Sequence, residues 1–210
     1  MANHTFLYDD ACPMCQAYTG AFKKLKWSDR KAFSSLKKGE WAKLDLDRGR
    51  HEIPLLDEKT GEIRYGLDAM TTILANAMPC LRPVLRSRFF LAMLKPLYWL
   101  ITYNRRIIAG THPPATGIDC APDYHPGWRL TYVILAFVIA GLLGLPNVLW
   151  VVAGLIGVLG LLFHRQRLSF LGHLGTVVLG AACLHVLIPG AIGLGAVCVF
   201  IVWQIWHRVG

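Results

Sequence analysis

The chain has 210 residues, of which 54% are hydrophobic, and a formal net charge of +9. The charge is uneven: residues 1–78 hold twelve Lys/Arg and eleven Asp/Glu, residues 79–129 seven and two, and residues 130–210 three and none. A cationic excess beside apolar segments is typical of a protein at an anionic lipid surface, and it argues against nucleic-acid binding.

The first residues contain neither the charged segment nor the apolar core of a signal peptide. We therefore expect the N-terminal part of the chain to stay in the cytosol. Disulfides in that compartment are more often transient and catalytic than structural.

A short buried strand is predicted from Thr5 to Tyr8, followed by a helix from Cys12 to Trp27, where apolar residues recur at helical spacing. Cys12 would then lie at the helix N-terminus, where unpaired N–H groups and the helix dipole favour a thiolate. Cys12 is therefore the candidate nucleophile. Cys15, one turn further into the helix, is the candidate resolving thiol.

The same Cys-x-x-Cys spacing supplies half of many zinc sites. A zinc site needs further ligands, and the other four cysteines are isolated: Cys80, Cys120, Cys183 and Cys198. The strand before the motif and the helix after it favour redox chemistry. We expect no metal and no cofactor other than a redox-active Cys12–Cys15 disulfide, and two plain core cysteines are the alternative.

The rest of this region predicts a small mixed sheet. Alternating residues from Ala42 to Asp47 indicate a second strand. The stretches 54–57 and 62–65 predict a hairpin in which Gly61 supplies a positive φ, and Leu67 to Ala77 predicts a helix.

Three motifs carry a family resemblance. The stretch Tyr8–Cys15 resembles the Asp-Gly-x-Cys-Pro-x-Cys signature of the DCC family of thiol-disulfide oxidoreductases. Gly61–Ala69 is similar to the family's Gly-x-x-x-x-Gly-x-x-Ala segment, and Tyr98–Arg105 to its Tyr…Asn-Arg ending. The resemblance covers about residues 5–115. It implies a thioredoxin-like α/β fold and disulfide exchange with a protein or small-molecule thiol or disulfide.

The resemblance also implies further site residues. The family's glycine before the cysteines is Asp10 here, so the turn carries two carboxylates, and Asp9 or Asp10 is a candidate proton acceptor. In thioredoxin-like folds a cis proline faces the dithiol, and the backbone before it pairs with a bound substrate. Ile53 and Pro54 occupy that place and are the candidate substrate-binding residues.

Residues 81–109 predict two amphipathic helices that Pro96 separates, with arginines opposite an apolar face. These helices either lie in the membrane interface or close the core of the redox domain. The following stretch predicts a loop in which Cys120, His112 and His125 are accessory residues without an assigned role.

Four apolar runs predict an all-α transmembrane bundle: Leu130–Leu145, Val148–Phe163, Leu171–Ile188 and Ala191–Trp206. Because Arg165, Arg167 and Arg208 carry all the Lys/Arg of this region, the positive-inside rule places the N-terminal domain and the C-terminus in the cytoplasm. We expect a multi-pass protein of a bacterial inner membrane. Its predicted parts are a redox domain over 1–115, a loop over 116–129 and the bundle over 130–210.

The predicted bundle contains two features of interest. Glycines at spacings of three and four predict close helix packing. Cys183 and Cys198 lie at similar distances from the turn at 189–190, which permits a second dithiol, while packing of small residues is the alternative. The sequence thus predicts a membrane-tethered thiol-disulfide oxidoreductase. The competing class is a non-enzymatic membrane module that binds a partner or senses redox state, and a membrane protein is a candidate partner in either case.

Overall fold

The computed structural model describes residues 3–36, 44–111 and 122–209. These residues fall into two compact units. The first comprises residues up to 105 together with residues 122–123, and the second comprises residues 106–111 and the residues from Tyr124 onward.

The first unit is a small α/β domain followed by helices. Its elements are β1 (His4–Tyr8), α1 (Pro13–Lys24), β2 (Asp29–Ala32), α2 (Leu46–His51), β3 (Pro54–Asp57), β4 (Ile63–Tyr65), α3 (Gly66–Ala77), α4 (Arg82–Leu85) and α5 (Arg88–Ala109), with 3₁₀ turns at Phe33–Ser35 and Pro79–Leu81. The last few residues of α5 belong to the second unit.

The four strands form one mixed sheet in the order β2-β1-β3-β4. β1 is parallel to β2, with Thr5 opposite Asp29, and antiparallel to β3, with Phe6 opposite Leu55. β3 and β4 form an antiparallel hairpin. The strand that leads into the cysteines is therefore a central strand, hydrogen-bonded on both edges.

The central strand is also covered on both faces. Phe6 is fully buried and packs with Leu55 and Ile73 on the face covered by α1 and α3. Its neighbour Leu7 points to the opposite face and packs against Phe33. This alternation follows from the period of two in a strand, and burial on both sides holds the end of β1 firmly in place.

The predicted second strand is wrong. Ala42 and Lys43 lie outside the described residues, and Asp45 caps α2 by accepting the Arg48 N–H at 3.0 Å. The second strand is Asp29–Ala32, which has no alternating apolar pattern. As an edge strand it is held by backbone pairing with β1, so it needs little apolar surface of its own.

The predicted hairpin and the helix after it are confirmed, and the two glycines of this segment have distinct roles. Gly61 has φ +71° in the hairpin turn. Gly66 begins α3 with φ +58°, and a Cβ atom there would lie 2.9 Å from the Tyr98 hydroxyl and 3.0 Å from Glu52 Cγ. Ala69 is fully buried one turn later. The segment thus combines two left-handed positions with one position that accepts only a small side chain.

The predicted break at Pro96 is wrong, because α5 continues through this proline to Ala109. A proline inside a helix leaves the carbonyl four residues earlier without its N–H partner. That residue is Ala92, and both Ala92 and Pro96 are exposed. The carbonyl can therefore be solvated, which removes most of the cost of leaving it without a partner.

The second unit is helical. Its helices are α6 (Pro126–Leu142), α7 (Asn147–Phe163), α8 (Arg167–Leu187) and α9 (Gly190–Val209). Within the described residues, α8 and α9 are long and apolar enough to cross a membrane by length and composition, while α6 and α7 are shorter apolar helices.

Close helix packing in this unit follows the predicted small residues. A Cβ atom at Gly175 would lie 3.3 Å from that of Ala136, and one at Gly180 would lie 2.5 Å from the Phe200 ring. Only residues without large side chains permit this approach. At one end of the unit, Arg208 donates to the Ile107 carbonyl at 2.7 Å, which satisfies a carbonyl in the last turn of α5.

Candidate active site

The candidate site begins where β1 ends. Asp9 is only 6% exposed, and its side chain accepts the Ala11 N–H at 2.8 Å. Its carbonyl accepts the Cys12 N–H at 3.2 Å. These two bonds close a tight Asx-type turn that carries the chain from the central strand to Cys12. The position of the first cysteine is therefore fixed by the sheet and by Asp9.

Cys12 is the N-cap of α1, and Pro13 occupies the first helical position. The Cys12 sulfur accepts the Cys15 backbone N–H at 3.4 Å. The first turn of α1 contains no acidic residue, whereas Lys23 and Lys24 lie in the last turn. A cap that receives a backbone N–H at the positive end of a helix is stabilised as an anion, so this environment favours a thiolate on Cys12.

The two thiols have different environments. Cys12 is partly exposed, whereas Cys15 is 3% exposed. The Tyr18 hydroxyl lies one turn further along α1 and donates to the Cys15 sulfur at 3.7 Å. Burial, and secondarily the proximity of Cys15, raises the pKa of Tyr18 well above its ordinary value. Tyr18 therefore remains a protonated donor to Cys15 throughout the physiological pH range.

Asp10 has different hydrogen-bond partners from Asp9. It is exposed, and its side chain accepts the Ser34 hydroxyl at 2.8 Å. Its carbonyl accepts a hydrogen bond from the Gln16 side chain. Asp10 does not have a positive φ. The turn therefore accepts an aspartate where the resembling motif has glycine, and Asp9 alone holds the turn through its side chain.

The expectation of a cis proline at Pro54 is wrong, because the described residues contain no cis peptide bond. Pro54 begins β3 opposite Tyr65, and the Ile53 carbonyl before it accepts the Gly66 N–H at 2.9 Å. Pairing with the start of α3 keeps the backbone extended through this bond, as is usual for X-Pro bonds. Ile53 is 8% exposed, and Pro54 is fully buried.

A cavity of about 190 Å³ lies beside Cys15. Its walls come from α1, the residue before β3, α3 and α5, and consist of Met14, Cys15, Tyr18, Ile53, Met70, Tyr98, Ile101, Thr102 and Arg105. Most of these side chains are apolar or aromatic. Burial raises the pKa of Tyr98 to about 12, so its hydroxyl is neutral at physiological pH. The Arg105 guanidinium is the one permanent charge among the lining residues.

The cavity was not predicted from the sequence, although the sequence contains evidence for some of its lining residues. Tyr18 follows Cys15 by three residues and so must share its helix face. Tyr98 and Arg105 are the ends of the segment that resembles the family's Tyr…Asn-Arg ending. Met70 had no signal, because only the packing of α3 brings it beside Cys15.

No role is assigned to the other cysteines. Cys80, Cys183 and Cys198 are exposed, and Cys120 and His112 lie outside the described residues. His125 caps α6, because its Nδ1 accepts the Trp128 N–H at 3.3 Å. In the described part of the chain, no three His, Cys, Asp or Glu side chains cluster in a way that could hold a metal ion.

Comparison with known proteins identifies a family. A family model described as DCC1-like thiol-disulfide oxidoreductase matches residues 6–111, which is slightly more than half of the chain. The matched residues include the dithiol turn, the hairpin and all the walls of the cavity. No curated protein and no solved structure gives a significant match.

Proposed function

The chain belongs to the DCC1-like thiol-disulfide oxidoreductase family, and on that basis we propose that it catalyses thiol-disulfide exchange through Cys12 and Cys15. The family predicted from the sequence motifs is confirmed. The observation that carries the proposal is the bond from the Cys15 N–H to the Cys12 sulfur. A thioredoxin-like assignment of the first unit is supported by its order of strand, helix, strand, short helix, hairpin and helix, with β1 in the middle of the sheet.

In the first step, the Cys12 thiolate attacks one sulfur of a substrate disulfide. A bond forms between Cys12 and that sulfur, the substrate S–S bond breaks, and the second substrate sulfur leaves as a thiolate. Cys12 suits this role because it is the more exposed of the two thiols and its anion is stabilised by the helix start.

In the second step, Cys15 loses its proton and attacks the Cys12 sulfur of the mixed disulfide. The Cys12–Cys15 disulfide forms, and the remaining substrate sulfur leaves as a thiolate. The substrate has then gained two electrons and the protein dithiol has lost two. The same steps in reverse oxidise a substrate dithiol. The Tyr18 hydroxyl favours deprotonation of Cys15 because it donates to that sulfur.

Asp9 is the better of the two candidate proton acceptors. It is buried at the end of β1, three residues before Cys12, whereas Asp10 is exposed and bonded to Ser34. Asp9→Asn retains an oxygen that can accept the Ala11 N–H, so the turn is preserved while the base is removed. We expect slower exchange in Asp9→Asn and little change in Asp10→Asn. Equal rates in the two variants would remove Asp9 from the mechanism.

The substrate site is proposed to include the cavity beside Cys15. Its apolar walls favour an apolar group on the thiol or disulfide substrate, whether a small molecule or a side chain of a protein partner. Ile53 takes part through its side chain, which lines the cavity. Pro54 is buried behind it, so its proposed role is to hold the start of β3 in place.

Membrane attachment is proposed for the second unit. Only 28% and 17% of the apolar windows of α8 and α9 are buried, which is low for core helices of a soluble protein. With α6 and α7 as shorter spans, the arginines at 165, 167 and 208 favour a multi-pass arrangement with the redox domain and the C-terminus in the cytoplasm. The catalytic cycle then takes place at the cytoplasmic face of a membrane.

A redox titration of the purified full chain tests the proposed function. The protein is equilibrated in buffers of defined thiol-disulfide ratio, and each cysteine is mapped by alkylation and mass spectrometry. We expect Cys12 and Cys15 to oxidise together in a single two-electron transition, and Cys12→Ser to abolish turnover of a disulfide substrate. A dithiol that oxidises without supporting turnover would favour a redox sensor or partner-binding module instead.

A further inference from the structure

The exposed surface of α5 carries a row of large apolar side chains. Phe89, Met93, Leu97 and Ile101 recur every four residues, which places them along one side of the helix. They are 76%, 64%, 52% and 40% exposed. These four residues are called the apolar stripe below. We propose that the apolar stripe docks the redox domain on the surface of an anionic lipid bilayer, an interaction separate from the helices proposed to cross the membrane.

The stripe is too large to be incidental surface. Immediately before α5, Leu81 and Val84 are 42% and 51% exposed. Single apolar residues are common on protein surfaces, but a contiguous set of large ones marks an interaction site. Six large apolar side chains within 21 residues are therefore expected to be covered when the protein is in its working environment.

The charges in the same segment of the chain indicate what covers the stripe. Arg82, Arg86, Arg88 and Lys95 are all exposed. The chain has no acidic residue between Asp68 and Asp119. At about 100° per residue, Arg88 and Lys95 lie together on the side of the helix opposite the middle of the stripe, roughly 140–180° from Met93 and Leu97 around the helix axis.

A helix with apolar side chains on one face and arginine and lysine on the other is suited to lie in the interface of an anionic bilayer. Its aromatic and aliphatic groups enter the boundary with the acyl chains, and its cations meet the headgroup phosphates. A second copy of the chain is a poor occupant, because the same segment of that copy has no acidic side chain to pair with these cations. Pro96 lies within the apolar face, and headgroups or interfacial water can solvate the carbonyl that lacks its helical partner there.

Docking has a consequence for the redox site. Ile101 ends the apolar stripe and also forms part of the cavity wall beside Cys15. The docked face therefore adjoins the cavity. Docking by α5 would keep this cavity next to the lipid surface, where apolar thiols and disulfides concentrate. The docking itself does not depend on the redox chemistry and is tested without it.

Photocrosslinking in the full chain tests the proposal. The protein is reconstituted at one copy per nanodisc in a mixture of phosphatidylcholine and phosphatidylglycerol, with benzoylphenylalanine at position 97. Position 25 is the matched control, because Leu25 is 54% exposed in the same unit and also has lysine neighbours. Both positions are exposed, so neither substitution should disturb folding. Unchanged protection of the buried Cys15 from alkylation verifies this.

We expect lipid adducts at position 97 to exceed those at position 25 by about tenfold. We also expect the yield of lipid adducts at position 97 to fall about fivefold or more in pure phosphatidylcholine. A similar fall is expected in an Arg88→Gln, Lys95→Gln variant. Equal labelling at positions 97 and 25 would overturn the docking face. Labelling that is independent of lipid charge would overturn the anionic-bilayer assignment. Two copies per nanodisc that crosslink to each other at position 97 would show a protein occupant instead.

Discussion

The sulfur of Cys12 accepts the backbone N–H of Cys15 at 3.4 Å, so the first thiol of the motif caps the helix that contains the second. The two cysteines therefore differ in what stabilises their anions. The helix N-terminus and partial exposure stabilise the Cys12 thiolate. Burial disfavours a thiolate on Cys15, while the hydrogen bond from the Tyr18 hydroxyl favours it. This asymmetry supports the proposed attacking role of Cys12 and the proposed resolving role of Cys15.

The first prediction concerns the reactivity of Cys12. A thiolate at a helix start is stabilised. We therefore expect the alkylation rate of Cys12 to rise with pH, with a midpoint below the pKa of roughly 8.5 of an unperturbed thiol. Cys80 is exposed and lies in the same unit, so it is the internal control. Rates at each pH are measured by mass spectrometry after short exposure to iodoacetamide. A midpoint for Cys12 that is no lower than that of Cys80 would contradict the assignment.

The second prediction concerns Tyr18. Tyr18→Phe removes the donor to the Cys15 sulfur, so the pKa of Cys15 should rise and disulfide closure should slow. A hydrogen bond of about 0.5–1.5 kcal/mol corresponds to a slowing of up to roughly tenfold near neutral pH. Alkylation of Cys12 should not change. Single-turnover kinetics measure the closure step, and Tyr124→Phe, exposed in the second unit, is the control. Slower attack by Cys12 with an unchanged rate of disulfide closure would contradict the proposed role of Tyr18.

The third prediction concerns Gly66. An alanine there would have to keep φ +58° and place a Cβ atom 2.9 Å from the Tyr98 hydroxyl. We expect Gly66→Ala to lower the free energy of unfolding of the first unit by about 2 kcal/mol or more. Gly49→Ala is the matched control, since its nearest atom would be 3.6 Å away and its φ is ordinary. Unfolding is followed in denaturant by pulsed alkylation of the buried Cys15. Equal midpoints for the two variants would show that the position tolerates a side chain.

The fourth prediction concerns orientation. If the arginines at 165, 167 and 208 face the cytoplasm, a membrane-impermeant maleimide applied to intact cells should not label Cys12 or Cys80. Both should become labelled after the membrane is permeabilised, because Cys12 is partly exposed and Cys80 is exposed. Labelling of Cys12 in intact cells would invert the proposed topology and place the dithiol in an oxidising compartment.

The elements predicted most accurately from the sequence are those whose formation depends on a few neighbouring residues. The structure confirms β1, which a short apolar run predicted, and α1, which Cys12 and Pro13 predicted as a helix start. It also confirms the hairpin, which was predicted from a positive φ at Gly61. Each of these signals lies within a few residues of the element it specifies.

The features that were not predicted from the sequence depend on contacts between residues far apart in the chain. The strand Asp29–Ala32 has no apolar period and exists because β1 offers it an edge. α5 passes through Pro96 although proline is an unfavourable residue inside a helix. The cavity beside Cys15 joins Met70 of α3 to Tyr98 of α5, and no local pattern links these residues.

Trapping of the mixed disulfide tests directly whether Cys12 is the attacking thiol. In Cys15→Ser the resolving thiol is absent, so attack on an excess of a small aromatic disulfide should stop with one substrate thiol bound to Cys12. We expect a stoichiometric adduct on Cys12 in Cys15→Ser, reversed by dithiothreitol, and a much slower reaction at Cys15 in Cys12→Ser. An adduct that forms faster on Cys15 than on Cys12, or on neither, would contradict the attacking role of Cys12.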